Sequence, residues 1–264
     1  MPQLIHKELT YLVRGILFDV HNQLGPRLPE KFYQKAIDFG LKDQGIICEL
    51  EKEFEVTYRN HSAGKYYIDH WLENGKLLLE IKVSPEIMPI HKAQTISYLK
   101  LTNADLAIIA NFGTKSLQDQ RLPNFISSKI ANFNWQSQPL KALYPELTNR
   151  ILENLYKVHF TLGPGFIHRI YRKAVMIELQ YQGIGYEHIK KIQFYYKNHY
   201  IDMQEAQVIK IENQVLLGVF ALEAFDDVMV EVMKARMKRL DIEVGILANF
   251  YTEELQVERV YSTL

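Results

Sequence analysis

Residues 65–83, KYYIDHWLENGKLLLEIKV, contain two strand-like runs on either side of Glu73-Asn74-Gly75. An Asn-Gly step between two such runs is the strongest short-range signal for a β-hairpin. If Asn74 and Gly75 form a two-residue loop, Asp69 lies directly opposite Glu80. Residues opposed across a ladder have their Cβ atoms about 4.5–5.5 Å apart, and like charges at that distance repel. The sequence therefore predicts a hairpin that holds two acidic side chains next to each other.

Helical and strand patterns flank this hairpin on both sides. Apolar residues at spacings of three and four predict amphipathic helices, whereas alternation or a short apolar run predicts strands. The predicted helices cover residues 4–22, 29–45 and 89–102, and the remaining strands cover 50–58 and 106–112. The element order is therefore α-α-β-β-β-α-β.

The first 125 residues are repeated further along the chain. LGPRLPEKFYQKAIDFGLKDQGI at 24–46 returns as LGPGFIHRIYRKAVMIELQYQGI at 162–184, an offset of 138 positions. Internal similarity at a fixed offset indicates two copies of one module. We therefore predict one domain at 1–125, a linker at 126–145 and a second domain at 146–264. In the second copy we predict helices at 147–161, 166–182 and 224–239, and strands at 187–196, 200–210, 214–222 and 242–250.

The composition excludes several classes of protein. Lys plus Arg and Asp plus Glu both number 31, which argues against a module that holds nucleic acid by bulk positive charge, although a local basic groove remains open. Cys48 is the only cysteine, so disulfides within the chain and cysteine-rich zinc sites are excluded. No signal-peptide pattern or apolar run of about 20 residues is present, so we expect a cytoplasmic protein that does not enter a membrane.

The acidic pair predicts a cation site. Something must offset the repulsion between Asp69 and Glu80, and Mg²⁺ is commonly held by one or two carboxylates together with substrate phosphates. Lys82 lies two residues beyond Glu80 and therefore on the same strand face. Charges are costly in a strand as apolar as LLLEIKV, so a functional role is favoured over a plain surface pattern.

Asp69 followed by Glu80-Ile81-Lys82 resembles the signature of the PD-(D/E)XK nuclease superfamily, an Asp and then (Asp/Glu)-x-Lys on adjacent strands. More narrowly, the chain resembles the bacterial GxxExxY proteins over about residues 5–122 and, more weakly, 147–260. The resemblance implies an α/β (α+β) fold of two tandem restriction-endonuclease-like α-β-β-β-α-β domains, each a mixed sheet flanked by helices.

The resemblance also assigns residues on the helix that precedes the hairpin. The Glu and Tyr of the GxxExxY motif correspond to Glu30 and Tyr33, whereas Arg27 stands in the place of the initial Gly. That exchange is expected to alter the turn into the helix. Tyr33 is interpreted as structural, because the second copy keeps a Tyr there without the acid.

On the helix after the hairpin, Gln94 and Tyr98 are similar to the QxxxY motif of some superfamily members. They lie four residues apart, on one helix face, and His91 lies beside them. The resemblance implies that Gln94 belongs to the catalytic set, and that His91 and Tyr98 contact the substrate.

Together these assignments imply a nuclease that hydrolyses phosphodiester bonds of DNA or RNA. Asp69, Glu80, the Ile81 carbonyl and Glu30 would hold Mg²⁺ or Mn²⁺, with Glu30 acting directly or through water. Lys82 would position or deprotonate the attacking water and screen the developing charge.

The second copy lacks this set. The offset places Gln207 at Asp69, Gly218 at Glu80, Phe220 at Lys82, Val232 at Gln94 and Arg236 at Tyr98. We therefore expect a degenerate pseudo-nuclease domain, which would replace the second subunit of a homodimer in an intramolecular pseudo-dimer. A homodimer of the whole chain is a further expectation.

Two other functions remain open at this point. A non-catalytic module could grip nucleic acid through the basic run Lys234, Arg236, Lys238 and Arg239, and its binding would depend on salt but need no metal. A scaffold that contacts another protein is also credible, given zero net charge and 16 Tyr.

Overall fold

The computed structural model describes residues 5–124, 133–136, 143–224 and 226–262. The chain divides into two compact units, Met1–Val56 with Lys65–Ala131 and Thr57–Gly64 with Asn132–Leu264. Each unit is built on one of the two sequence repeats. Of the predicted linker, residues 126–132 and 137–142 lie outside the described part of the chain. None of the helices in the described part has the length and apolar character needed to cross a bilayer.

The N-terminal repeat has the predicted order of elements, followed by one more strand. Its elements are α1 (Lys7–Leu24), α2 (Glu30–Asp43), β1 (Cys48–Tyr58), β2 (His61–Leu72), β3 (Leu77–Lys82), α3 (Pro89–Thr102), β4 (Leu106–Asn111) and β5 (Gln118–Pro123). They form a five-stranded sheet of order β1-β2-β3-β4-β5. Strand β3 runs parallel to β4, whereas β2 with β3 and β4 with β5 are antiparallel, so the sheet is mixed.

The hairpin has the predicted register. His70 lies opposite Leu79, Trp71 opposite Leu78, and Leu72 opposite Leu77. The loop itself differs from the prediction, because the ladder stops before Glu73 and a single 3₁₀ turn, Glu73–Gly75, precedes Lys76. The pairing of β2 with β3 is nevertheless the predicted one, because the loop is longer than predicted by one residue on each side.

The turn between α1 and α2 shows what the exchange at position 27 does. Arg27 has φ 67, in the left-handed region, where a non-glycine residue loses about 1–2 kcal/mol. The second repeat has Gly165 at the corresponding position, with φ 114. Both positions thus have a positive φ, although the two values differ, and the backbone N–H and the Nε of Arg27 donate to the carbonyls of Phe112 and Gly113.

The core of the N-terminal repeat lies between the sheet and the helix pair α1–α2. Buried residues from both helices pack against one face of β3 and β4. They include Val13, Leu17, Tyr33, Ile37 and Leu41 from the helices, and Leu77, Leu79, Ile81, Ile108 and Ala110 from the strands. The alternation along β3 therefore leaves Leu78, Glu80 and Lys82 on the opposite face.

The C-terminal repeat has the same topology. Its elements are α4 (Pro145–Leu162), α5 (His168–Tyr181), β6 (Tyr186–Tyr196), β7 (His199–Ile211), β8 (Val215–Phe220), α6 (Asp227–Leu240), β9 (Val244–Asn249) and β10 (Gln256–Tyr261). The sheet order is β10-β9-β8-β7-β6, with β8 parallel to β9. Two tandem domains with mixed five-stranded sheets flanked by helices are thus confirmed, whereas the sequence had not predicted β5 or β10. The region 113–145, predicted as a domain end and linker, contains β5.

One register differs between the repeats. Val208 lies opposite Gly218, whereas the offset would place Gln207 there. Ala206 and Gln207 together oppose the single residue Lys190 of β6, and Gln207 has φ 51. This arrangement is a β-bulge, which re-aims side chains locally.

Two polar side chains hold corresponding turns in both repeats. The hydroxyl of Tyr33 donates to the Gly25 carbonyl at 2.7 Å, and the hydroxyl of Tyr171 donates to the Gly163 carbonyl at 2.7 Å. Asn111 and Asn249, both fully buried, donate through Nδ2 at 2.9 and 2.7 Å to a carbonyl 27 residues earlier. Polar residues that the repeats share therefore serve the fold.

Candidate metal centre of the N-terminal repeat

Glu80 and Lys82 lie together on β3. The Nζ atom of Lys82 lies 2.7 Å from Oε1 of Glu80, and Glu80 is only 6% exposed. The side chain of Ile81, between them, points into the core under α1 and α2. The strand therefore presents one carboxylate and one ammonium group on the face away from that core, while the assignment of the Ile81 carbonyl as a ligand stays a prediction.

Asp69 directly precedes His70, the first residue of β2 that pairs with β3, and shares its environment with Glu80. Burial and the Glu80 carboxylate raise the pKa of Asp69 to about 6, although Lys82 and a hydrogen bond from the Gln34 side chain lower it. Two mutually repelling carboxylates with little water around them create a negative potential. The structure therefore brings the predicted acidic pair and Lys82 together.

Asp69, Glu80 and Lys82 together form what we call the corner of the N-terminal repeat, and helix α2 adds two side chains to it. Glu30 is the first residue of the helix, and its carboxylate accepts a hydrogen bond from the Val83 backbone N–H at the end of β3. Partial burial raises the pKa of Glu30, with Lys82 lowering it and Asp69 raising it. Gln34 lies one turn further along the same helix face and donates to Asp69.

Lys82 stays protonated at neutral pH. Burial, the largest single influence, lowers the pKa of an ammonium group. Attraction to Glu80, the hydrogen bond to Glu80 and the charge of Glu30 more than offset it, so the pKa of Lys82 is raised above its usual value. Lys82 is therefore a fixed positive charge in this corner.

Helix α3 approaches the corner through a tyrosine pair. Tyr98, 3% exposed, stacks on Tyr66 with ring centroids 5.0 Å apart, and the two hydroxyl oxygens are 2.6 Å apart. Burial and the charge of Glu80 raise the pKa of Tyr66 to about 12. Tyr66 therefore connects Tyr98 to the acidic pair and keeps its proton at neutral pH.

The other two residues predicted on α3 are buried. Gln94 is 7% exposed and His91 is 6% exposed. His91 accepts a hydrogen bond through Nδ1 from the Met88 backbone N–H at the start of the helix. The structure thus gives His91 a capping interaction, and substrate contacts by either residue stay predictions.

Within the described ranges, no three side chains of His, Cys, Asp or Glu come close enough together to hold a metal ion by themselves. Glu30, Asp69 and Glu80 influence one another electrostatically but do not form a three-carboxylate cage. A cation here would need backbone, water or substrate oxygens to complete its ligands.

A second polar pair lies on the core side of the sheet. His70 is fully buried, and in the described part of the chain neither its Nδ1 nor Oδ1 of Asp38 has a hydrogen-bond partner. Burial lowers the pKa of His70 to about 4, although the Gln34 carbonyl and Asp38 oppose this shift. The C-terminal repeat has apolar residues, Met176 and Val208, at the corresponding positions.

The corresponding corner of the C-terminal repeat is filled. A Cβ atom added at Gly218 would lie 2.6 Å from the ring of Phe220 and 3.1 Å from the end of Met233. A side chain at the position of the acid would therefore have to displace the ring of Phe220, which stands at the position of the lysine.

Sequence reasoning did not find Gln34 or Tyr66. Gln34 was detectable in principle, because it follows Glu30 by four residues on a helix. Tyr66 precedes Asp69 by three residues, a spacing with no meaning along a strand, and only its contact with Tyr98 places it near the acids.

The fold and this corner define a tandem restriction-endonuclease-like protein in which one repeat carries the acids and lysine. The family model of the PD-(D/E)XK nuclease superfamily matches residues 7–122 and 145–260. The chain therefore belongs to that superfamily, with one match per repeat.

Other comparisons add little to this assignment. No curated protein matches the chain significantly. The crystal structure of SSO0001 is 20% identical over 35% of this chain, with a TM-score of 0.28, and the chain spans about half of it, 48%.

Proposed function

We propose that the N-terminal repeat is a nuclease that uses Mg²⁺ or Mn²⁺ to hydrolyse phosphodiester bonds of DNA or RNA. The observation that supports this best is the shared corner of Asp69, Glu80 and Lys82, in which burial and mutual repulsion raise the pKa of Asp69 to about 6. The loss of all three groups from the C-terminal repeat supports it further.

The donor atoms suit a small divalent cation. Carboxylate and carbonyl oxygens are the hard ligands that Mg²⁺ prefers, and it usually keeps water or substrate phosphate among its ligands. Asp69, Glu80 and the Ile81 carbonyl would bind directly. Glu30 would act through water, because it does not join the two other acids in a ligating trio.

A bound cation would polarise the scissile phosphate and lower the pKa of a water molecule. Lys82 would orient that water and screen negative charge. It would not remove the proton, because its pKa is raised by Glu80 and Glu30. Gln34 and the Tyr66–Tyr98 pair would hold the acids in place, while Gln94, His91 and Tyr98 would face the substrate.

The test is cleavage by the full chain of single- and double-stranded DNA and RNA with Mg²⁺ or Mn²⁺. Glu80→Ala and Lys82→Ala should each lower the rate by about 10²-fold or more, the range of an electrostatic group at a reacting phosphate. Asp43→Ala, which removes an exposed carboxylate at the C-terminal end of α2, is the matched control and should leave the rate unchanged. Cleavage that survives both substitutions would overturn the proposal.

Metal binding provides a second readout that does not need the right substrate. Calorimetric titration with Mn²⁺ should show a site in the wild type that Asp69→Ala removes and Gln207→Ala retains. The lone cysteine also leads us to propose a reducing, cytoplasmic location.

A further inference from the structure

Four basic side chains gather in the C-terminal repeat. His168 and Arg172 lie one turn apart on α5, His188 lies on β6 and Arg236 on α6. We call these four residues the basic cluster. By the offset of 138 positions, His168, Arg172 and Arg236 replace Glu30, Gln34 and Tyr98 of the N-terminal repeat.

Arg172 is the centre of the basic cluster. It is 8% exposed, and in the described parts of the chain its guanidinium has neither a hydrogen bond nor a carboxylate within ion-pair distance. Burial lowers the pKa of Arg172, Arg169 lowers it further, and only the more distant charge of Glu205 opposes this. No nitrogen of this guanidinium is among the enclosed, unpaired polar atoms of the described chain, so the head group reaches solvent and is open to an anion.

His168 and His188 lie close to Arg172, and Arg236 contacts Glu205, whose charge also acts on Arg172. Burial lowers the pKa values of His168 and His188, and the charge of Arg172 lowers both further. His188 also has its Nε2 atom 3.0 Å from Oε1 of Gln207 on β7. Arg236 donates at 3.4 Å to the backbone carbonyl of Glu205, two residues before Gln207. Side chains from α5, β6 and α6 therefore meet at the same stretch of β7.

The surroundings favour an anion over a cation. Phe220 and Met233 fill the place of the lost acid, so no carboxylate pair remains to attract a metal ion. His168 is the first residue of α5, and the free N–H groups at a helix start add to the positive potential there. Lys173 and Lys190 also act on His188 electrostatically.

The remaining basic residues of α6 do not share this place. Lys234 pairs with Glu231 at 2.8 Å, and the guanidinium of Arg239 lies over the ring of Phe194 at 4.4 Å. Lys238 is two residues from Arg236, which places it about 200° around the helix. The predicted basic run is therefore divided, and only Arg236 belongs to the basic cluster.

We propose that the basic cluster binds a phosphate group, and that the C-terminal repeat thereby holds a nucleic-acid backbone. Two guanidinium groups and two imidazoles provide donors that match phosphate oxygens, and arginine does so in a bidentate manner. A bound phosphate would neutralise the unpaired charge of Arg172. The inference does not depend on the cleavage proposed for the N-terminal repeat.

The experiment is binding of a short fluorescein-labelled single-stranded oligonucleotide to the full chain in EDTA, followed by anisotropy. Arg172→Gln should weaken binding by about tenfold, the effect of one charge-assisted hydrogen bond. Arg172→Lys should retain part of the affinity, and Lys238→Gln, on the other side of α6, is the matched control. Inorganic phosphate as competitor distinguishes a free phosphate site, where it displaces the oligonucleotide at similar concentration, from a backbone site, where it does so weakly.

Two additional measurements test the proposal even where Arg172→Gln does not fold correctly. Arg236→Gln, at a half-buried position, should weaken binding without exposing the core. In the wild type, NMR titration of His188 should show its pKa rising when phosphate or oligonucleotide is added, because an anion stabilises the imidazolium. Equal weakening by Arg172→Gln and Lys238→Gln, or an unchanged His188 pKa at saturating ligand, would overturn the proposal.

Discussion

The two repeats share their scaffold bonds and differ in their charged corners. Tyr33 and Tyr171 close the same turn, and Asn111 and Asn249 brace the same strand end with nearly identical distances. In contrast, Asp69, Glu80 and Lys82 have no charged counterpart in the second repeat. The difference separates polar groups that the fold requires from polar groups that it only tolerates.

The corresponding corners of the two repeats also differ in the sign of their charge. The N-terminal corner combines two repelling carboxylates with one lysine, whereas the C-terminal corner has basic side chains above an apolar filling. One scaffold thus carries an acidic corner in its first repeat and a basic corner in its second. The following predictions test that contrast, beginning with the largest expected effect.

Introducing a glutamate at Gly218, the position that corresponds to Glu80, should destabilise the C-terminal repeat. Gly218→Glu should lower the free energy of unfolding by about 3 kcal/mol, because the new side chain overpacks against Phe220 and Met233. Urea unfolding followed by circular dichroism measures the effect. Gly218→Ala, which adds only the Cβ atom, should cost less, and a Gly218→Glu variant as stable as the wild type would contradict the contrast.

Removing the charge of Asp69 should stabilise the N-terminal repeat above pH 6. The folded pKa, about 6, lies above the ordinary value of 3.8, so ionisation costs stability as pH rises from about 4 to 6. Asp69→Asn should therefore gain about 2–3 kcal/mol at pH 7.5 and almost nothing at pH 4. Urea unfolding at both pH values checks this, with Asp43→Asn on the exposed end of α2 as the control. A gain of equal size at both pH values would exclude the titration of Asp69 as its cause.

Replacing Gln34 with arginine, the residue at the corresponding position of the C-terminal repeat, should weaken metal binding. In Gln34→Arg a guanidinium replaces the amide beside Asp69, which should lower the pKa of Asp69 and weaken Mn²⁺ binding by about tenfold or more through repulsion. Calorimetry measures the affinity, and Gln44→Arg, the same exchange at the C-terminal end of α2, should leave it almost unchanged. Equal effects of the two variants would mean that Gln34 is not near the ion.

The tyrosine pair gives the smallest expected effect. Tyr66→Phe removes the partially buried hydroxyl pair with Tyr98 and should cost about 1 kcal/mol of unfolding free energy. Tyr67→Phe, the neighbouring exchange on an exposed side chain, should cost less than about 0.5 kcal/mol. Thermal unfolding of both variants provides the comparison, and the reverse order would show that the Tyr66 hydroxyl contributes little.

The sequence predicted the elements that carry strong local patterns. The Asn74-Gly75 step led to the correct hairpin register although not to the correct loop, and the acids were noticeable because charges are rare in a strand as apolar as β3. Strands β5 and β10 were not predicted, because an edge strand pairs with one neighbour only and can keep polar residues, as QDQRLP of β5 does. Gln34 and Tyr66 escaped because their role depends on contacts between elements, which no single segment encodes.

His70, buried near Asp38, makes the stability of the N-terminal repeat depend on pH in mild acid. Unfolded chain can take up a proton on His70 from about pH 6.5 downward, whereas the folded form resists until about pH 4. Protonation of His70 therefore favours the unfolded state of the N-terminal repeat across that interval, and the C-terminal repeat has the apolar Met176 and Val208 at the two corresponding positions. Over much of the same interval the protonation of Asp69 favours the folded state, so the two buried groups of the N-terminal repeat oppose each other in mild acid.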